Sequence, residues 1–368
     1  MPERPRVLFA IGGLGRGGSE RQLMQLISEA HPRRMEATVL TFSTVCAEEH
    51  GEWLRELGVE LIQPAPSRGP RAIRPAVSVP RVHRLLRRLR PDVVYAWLEE
   101  ASTTVTLPAR SLGIPVVIAR RSVCGSEAER LLHFRLPIRW AERRARLVTG
   151  NSEAVLAEAT ARGVRPDRLR LTPNGHAPVG ALPEPPGGTV AIGYVANYRP
   201  EKGHLRLLDA LSRLQVRTPW MVDLVGTGPL RETVEGKVAE RGLGGRVTVG
   251  GQITDIDAFW RDHHIAVLLS DDEGSPNALI EAAMRGRPLV GTNAGGTPEV
   301  IGEAGGILVS HDPEEIAAAL ARLIDDPGLR RSLGEGARRR AIEQHDLGRF
   351  VEGHLAVVEE AARRRRAG

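Results

Sequence analysis

The stretch Ile265-Ala266-Val267-Leu268-Leu269-Ser270-Asp271-Asp272-Glu273-Gly274-Ser275-Pro276-Asn277-Ala278-Leu279-Ile280-Glu281-Ala282-Ala283-Met284-Arg285-Gly286-Arg287-Pro288-Leu289-Val290-Gly291 decides the fold. Its first five residues are a continuous apolar run, the mark of a strand buried on both faces. A polar loop follows, then Pro276, suited to the first turn of a helix, and an Ala- and Leu-rich helical segment. Gly286 and Pro288 end that helix, and Pro288–Gly291 reads as the next strand. Such a strand–loop–helix–strand unit implies parallel strands joined by a crossover helix. The alternation repeats in both directions. Strands are expected at 6–11, 37–42, 60–62, 92–96, 116–119 and 147–149, and at 190–195, 221–225, 246–250, 265–269, 288–291 and 306–309. Helices between the first set include 19–29 and 80–90. Each half reads as an open, doubly wound α/β unit, and 368 residues suffice for two such cores.

Between the halves, Pro178, Pro183, Pro185 and Pro186 stand among Gly180, Gly187 and Gly188. That density of Pro and Gly continues neither a helix nor a central strand, so 178–188 is expected as a linker. The expected division is 1–177, 178–188 and 189–345, with a C-terminal helix at 346–368 crossing back to the first domain. Two such domains leave a cleft between them.

Hydrophobic residues at 41% and charged residues at 26% are ordinary for a globular protein. The net charge of +6 is divided unevenly: residues 1–182 carry 28 Arg against 18 acids, and residues 183–368 carry 23 basic residues against 27 acids. A basic half beside an acidic half suggests an anionic partner for one of them. Lys occurs only at Lys202 and Lys237. Cys46 and Cys124 stand in neither a CxxC nor a Cys/His spacing, which excludes a disulfide framework and a zinc site and fits a reducing cytoplasm. The apolar run at 7–11 is too short for a signal sequence, and none approaches the roughly 18 residues of a membrane span.

Four motifs lie on loops that follow expected strands, where open α/β sheets bind ligands. In Gly12-Gly13-Leu14-Gly15-Arg16-Gly17-Gly18-Ser19-Glu20, glycines admit a phosphate close to the backbone at a helix start. Gly13, Gly15 and Gly18 match GxGxxG, but the second strand ends Thr41-Phe42-Ser43 without the acid that a dinucleotide site needs. In Asn197-Tyr198-Arg199-Pro200-Glu201-Lys202-Gly203-His204, Lys202 and Arg199 suit a diphosphate. Val225-Gly226-Thr227-Gly228-Pro229 is a further glycine turn. The fourth motif carries two carboxylates eight residues apart: Glu273 on the loop and Glu281 in the second turn of the helix. The N–H groups of Asn277, Ala278 and Leu279 lie between them.

Glu273-x7-Glu281 within the 273–290 segment, the Lys-Gly turn, the Gly-Thr-Gly-Pro turn and Gly295-Gly296-Thr297-Pro298-Glu299 together resemble the GT4-type family of retaining glycosyltransferases. The resemblance covers about the whole chain. It implies the GT-B fold, an α/β architecture of two Rossmann-like domains facing across a cleft, with a sugar-nucleotide donor on the second and the acceptor on the first. By position, Glu281 would bind the ribose hydroxyls as a donor-binding residue, and the candidate catalytic residues would be Glu273, on the donor sugar, with Lys202 and Arg199, which would neutralise the diphosphate. Backbone groups of Ser275, Pro276, Asn277, Ala278 and Leu279 would meet sugar and phosphate oxygens, with Asn197 beside them. Gly251 and Ile253 would adjoin the base, and Gly13 and Gly15 would close over the diphosphate. No metal or other cofactor is implied. The acceptor would be a glycan or a lipid-linked sugar, in surface polysaccharide or glycolipid assembly, in the cytoplasm or on the inner face of the membrane.

Two departures stand out. The family Arg five residues before the Lys is Asn197 here, and in the region where many members place a His after a first-domain strand this sequence has Arg120 and Arg121. With Arg16, these arginines are candidate phosphate or acceptor contacts, set against structural ion pairing. His133 lies too far along to take the place of the family His. Asp255-Ile256-Asp257 matches a metal-binding DxD, but at a helix start capping explains it better. Val82, Leu85, Leu86 and Leu89 form an apolar stripe with Arg81, Arg84, Arg87, Arg88 and Arg90 around it, a helix that packs on the core or docks on anionic lipid. The run 363–366 reads as a frayed tail. The rival readings are a GT-B sugar-nucleotide epimerase, an NAD(P)-dependent oxidoreductase and a nucleic-acid-binding protein; the last is disfavoured by 4% aromatics.

Overall fold

The computed structural model describes residues 4–63, 74–123, 132–185 and 187–366. Cys124 and Pro186 lie outside the described residues, as do the side chains of His133, Arg364, Arg365 and Arg366. The chain divides into two units, Met1–Gly175 with Gly348–Gly368, and His176–Leu347.

In the first unit, strands β1 (Arg6–Ile11), β2 (Glu36–Thr41), β3 (Glu60–Ile62), β4 (Val93–Trp97), β5 (Val116–Arg120), β6 (Leu147–Gly150) and β7 (Leu169–Leu171) form a parallel sheet ordered β3-β2-β1-β4-β5-β6-β7. Helices α1 (Gly18–Ala30), α2 (Glu48–Glu56), α3 (Arg74–Leu89), α4 (Glu99–Ser111), α5 (Leu132–Arg144) and α6 (Glu153–Ala161) alternate with the strands. One face of the sheet places Leu8, Ala10, Val94, Ala96 and Ile118 in a core with Val82, Leu86, Val105, Ala109 and Ala141 of α3, α4 and α5. The central strands β1 and β4 are apolar over nearly their whole length because both faces are covered. The short strand β7 has no continuous apolar run to announce it. Helix α3 begins six residues before Pro80, which stands inside it rather than at its start.

The second unit has a parallel sheet ordered β10-β9-β8-β11-β12-β13, from β8 (Val190–Val195), β9 (Trp220–Val225), β10 (Val247–Gly250), β11 (Ile265–Leu268), β12 (Leu289–Thr292) and β13 (Gly306–Val309). Its helices are α7 (His204–Leu211), α8 (Arg231–Glu240), α9 (Ile256–Asp262), α10 (Asn277–Met284), α11 (Thr297–Ile301), α12 (Pro313–Asp325) and α13 (Pro327–Gln344). Helix α14 (Leu347–Arg366) returns to the first unit, where His354 is fully buried.

The Pro- and Gly-rich stretch is not a free linker. It is bound along the second unit: Leu182 N–H donates to the Arg285 carbonyl (3.2 Å), Arg287 donates to the Pro183 carbonyl (2.9 Å), and Arg330 pairs with Glu184 (2.7 Å). Arg287, in the turn before β12, gives a donor to a carbonyl of this proline-rich backbone, and Arg330 of α13 holds the stretch through the Glu184 side chain.

Candidate functional site

Strand order in the second sheet reverses between β8 and β11, which pair with Ile192 beside Ile265. A crevice at such a reversal is where an open α/β sheet binds ligands. The loops leaving these two strands carry Lys202 and Glu273.

After β8 the chain is tied to its neighbour: Ala196 N–H donates to the Val225 carbonyl (3.0 Å) and Tyr198 N–H to that of Thr227 (2.8 Å). A single 3₁₀ turn, Pro200–Lys202, then ends at Gly203. Gly203 has φ +68, and a side chain there would overlap the Leu269 carbonyl, so glycine is required twice over. That close approach brings Lys202 beside the end of β11.

Lys202 Nζ donates to Glu273 Oε1 at 2.6 Å, and Ser270 Oγ donates to the same oxygen at 2.7 Å. The Lys202 and Glu273 side chains are 22% and 16% exposed, so the pair is half-sheltered yet open to solvent. From the other side, Gly296 N–H donates to the Glu273 carbonyl (2.8 Å), and Gly295, with φ +53, packs against that carbonyl without room for a Cβ. The Gly295-Gly296 turn after β12 therefore clamps the backbone that presents the carboxylate. Below the pair, the buried Tyr194 hydroxyl accepts from Leu269 N–H (3.0 Å) and donates to the Lys202 carbonyl.

Helix α10 follows. Pro276 is its N-cap residue and not part of its first turn. Leu279 N–H is taken by the Pro276 carbonyl (3.1 Å), so it closes a turn of the helix instead of facing an anion. His176 Nε2 donates to Asn277 Oδ1 at 3.0 Å, fixing the first residue of the helix. Glu281 lies in the second turn, 7% exposed. The DxD carboxylates are engaged: Asp255 caps α9 through Ala258 N–H (2.8 Å), as expected, and Asp257 pairs with Arg285 (2.6 Å).

A second rim forms around the β10 end. The Tyr198 hydroxyl donates toward the carbonyls of Leu224 (2.8 Å) and Gly250 (2.9 Å), and Gly226 N–H donates to that of Gly251 (3.0 Å). Thr227 Oγ1 reaches Asn197 Oδ1 at 3.4 Å. Asn197, Arg199 and Gly251 are exposed there, and Ile253 is half-buried. His204, under the loop, lies between Tyr194 and Tyr198 with ring centroids 4.9 and 4.7 Å away. Burial lowers its pKa to about 4 and raises that of Tyr198 to about 12.

In the first unit, Leu14 N–H donates to the Val45 carbonyl (2.9 Å), holding the glycine loop of Gly13 and Gly15 against the segment after β2. The Glu20 carboxylate folds back beneath Gly17, and burial raises its pKa. Arg16 pairs with Glu49 (2.6 Å) at the surface. Arg120 and Arg121 are not phosphate contacts. Arg120 makes an ion pair with Glu142 in which both side chains are 2% exposed. Arg121 stacks on Trp97, 4.1 Å from the ring centroid, and donates to Asn174 Oδ1 (3.1 Å) and His354 Nε2 (3.2 Å). Burial lowers its pKa to about 10. Since Arg only donates, His354 carries its proton on Nδ1 and gives it to the Tyr95 hydroxyl at 2.6 Å. The side chains that sequence reasoning missed are Tyr194, Ser270 and His176; the one available signal was a tyrosine in an otherwise aliphatic strand.

Residues 183–340 match the family model described as glycosyl transferases group 1, and residues 16–178 match that of glycosyltransferase family 4. The chain belongs to the GT4-type glycosyltransferases. It is 30% identical over 226 residues to the MMP alpha-(1->4)-mannosyltransferase of Mycolicibacterium hassiacum, covering 59% of this chain and 54%, about half, of that enzyme. It is 25% identical to the lipopolysaccharide core biosynthesis glycosyltransferase LpsE of Rhizobium meliloti, over 93% of this chain and 96% of the relative. Anabaena HepE, solved in complex with UDP and glucose, superimposes with a TM-score of 0.80 at 20% identity, over 97% of this chain and 100% of that one. The GT4-type chain has the GT-B fold expected of it, and its family is one of sugar transferases, not of epimerases, oxidoreductases or nucleic-acid-binding proteins.

Proposed function

We propose that this glycosyltransferase moves a sugar from a nucleoside-diphosphate sugar to a hydroxyl of a glycan or lipid-linked acceptor, with retention at the anomeric carbon and without a metal ion. The observation that carries the reading is the Lys202–Glu273 pair at the sheet reversal, directly ahead of α10. Lys202, Arg199 and the start of α10 supply fixed positive charge to a departing diphosphate, the role a metal plays elsewhere. Glu273 accepts from the donor sugar and Glu281 from the ribose. The nucleoside lies against the rim of Asn197, Gly251 and Ile253. In the transfer, an acceptor oxygen bonds to the anomeric carbon as the bond to the diphosphate oxygen breaks. The acceptor proton passes to that leaving oxygen on the same face, so no protein nucleophile is required.

Lipopolysaccharide core assembly by the rhizobial relative supports surface-glycan synthesis as the setting. The test is binding of UDP, GDP and ADP against NAD and single-stranded DNA, followed by mass spectrometry of products from a donor panel. A nucleoside diphosphate is expected to bind and transfer to survive EDTA. Binding of NAD or DNA alone would break the reading, and strict metal dependence would break its mechanism.

Association with an anionic membrane surface is the second part of the proposal. Among the described residues no helix is long and apolar enough to cross a membrane. On α3, Val82 and Leu86 are buried, while Arg81, Arg84, Arg87 and Arg88 are exposed. On α4 and α5, Leu107 (52%), Leu136 (66%) and Trp140 (39%) are exposed beside Arg110, Arg135 and Arg143. Large apolar side chains among arginines suit the interface of an anionic bilayer. Cosedimentation with phosphatidylglycerol vesicles is expected to be salt-sensitive and weakened by Leu136→Ser with Trp140→Ser; equal binding by the variant would remove this part.

A further inference from the structure

We infer that Tyr194 is a positioning residue for the diphosphate end of the donor, acting through the backbone of Lys202; the inference rests on the donor reading above. Two loops must be held in register for Lys202 and Glu273 to act on one ligand, and they leave different strands. Tyr194 is on β8 and fully buried, and its hydroxyl uses both its donor and its acceptor on those two loops. It gives its proton to the Lys202 carbonyl and takes one from Leu269 N–H at 3.0 Å, immediately before Ser270. Ser270 Oγ then holds the Glu273 oxygen that Lys202 holds. One phenol thus closes a ring of contacts: Tyr194, Lys202, Glu273, Ser270, Leu269 and back to Tyr194.

The neighbouring tyrosine is built differently. The Tyr198 hydroxyl donates to carbonyls of Leu224 and Gly250, on the β9 and β10 side, and makes no hydrogen bond to either loop that carries the charged pair. Both phenols are buried, both donate to backbone carbonyls, and both pack on His204. Loss of either hydroxyl therefore carries a similar structural cost, while only Tyr194 touches the residue that bears the ammonium. Tyr194 stays protonated at working pH, since burial raises its pKa well above the ordinary phenol.

The experiment measures calorimetric affinities of the full-length enzyme for UDP, or whichever nucleoside diphosphate the wild type prefers, and for the matching monophosphate. Tyr194→Phe is expected to weaken the diphosphate about tenfold, the size of one lost hydrogen bond, and to leave the monophosphate within about twofold. Lys202→Ala is expected to weaken the diphosphate as well, and the double variant no further than Lys202→Ala alone, because Tyr194 acts through Lys202. Tyr198→Phe, the structural control, is expected to change both nucleotides by the same factor. Equal losses for the two nucleotides in Tyr194→Phe would overturn the inference, as would additive effects of Tyr194→Phe and Lys202→Ala, while leaving the donor reading intact. A wild type that binds no nucleoside diphosphate overturns both.

Discussion

The two sheets share a parallel, doubly wound topology, yet the charges beyond their carboxyl ends are treated in opposite ways. In the second unit, Lys202 and Glu273 meet across two loops and remain part exposed. In the first, Arg120 and Glu142 are sealed at 2% exposure, and Arg121 is stacked on Trp97 and held by Asn174 and His354. A part-exposed pair is exchangeable: a phosphate and a sugar hydroxyl can replace each half for the other. A sealed pair is not, because breaking it strands a charge where water cannot reach. Arginine at a strand end is therefore evidence of a ligand only when its exposure allows one.

The comparison is broken or sharpened most directly by activity. Lys202→Ala and Glu281→Ala are each expected to lower transfer by about 100-fold or more, with an unchanged circular dichroism spectrum. Turnover near that of the wild type in either variant would remove the second unit from its role. On the other side, Arg120→Met is expected to cost about 3–5 kcal/mol of stability by removing the guanidinium that pairs with the buried Glu142 carboxylate. Arg120→Met with Glu142→Leu is expected to recover most of it, as read by denaturant unfolding. If instead Arg120→Met is stable and loses only activity, the first unit's pair is functional after all.

A smaller effect concerns pH. His204 titrates near 4 in the folded protein because it is buried, and near 6.5 unfolded. The unfolded chain binds the extra proton between those values, so stability is complete above about 6.5 and is lost as pH falls toward 4, by about 3 kcal/mol. His354, buried beside Arg121, is lowered in the same direction. Urea unfolding from pH 7 to pH 4.5 is expected to show this slope, reduced in His204→Phe; an unreduced slope would assign it elsewhere.

Strand and helix order was legible in the sequence because continuous aliphatic runs have few alternatives to buried parallel strands. The exceptions follow the same physics. Leu169–Leu171 is short and half-exposed, so no apolar run marked it, and Pro80 resembled a helix start because proline favours first turns. The glycine turns that frame the candidate site were legible because glycine is required where Gly203 and Gly295 press on carbonyls. Burial was not. Nothing in Val117-Ile118-Ala119-Arg120-Arg121 distinguishes a guanidinium aimed at a ligand from one folded inward onto a glutamate 22 residues on. Nor does sequence reveal that the phenol of Tyr194 spans two loops, since its partners are a carbonyl and an N–H that every residue has.

The return of α14 to the first unit has a consequence for synthesis on the ribosome. His354 completes the hydrogen bonding of Tyr95 and Arg121, Glu352 pairs with Arg34, and Glu360 with Arg170. None of these partners exists until the whole of residues 176–347 has been made. The second unit is continuous in sequence and can close its core as it emerges. The first unit is translated earlier but waits, with a buried arginine and tyrosine short of a partner, for the last helix of the chain.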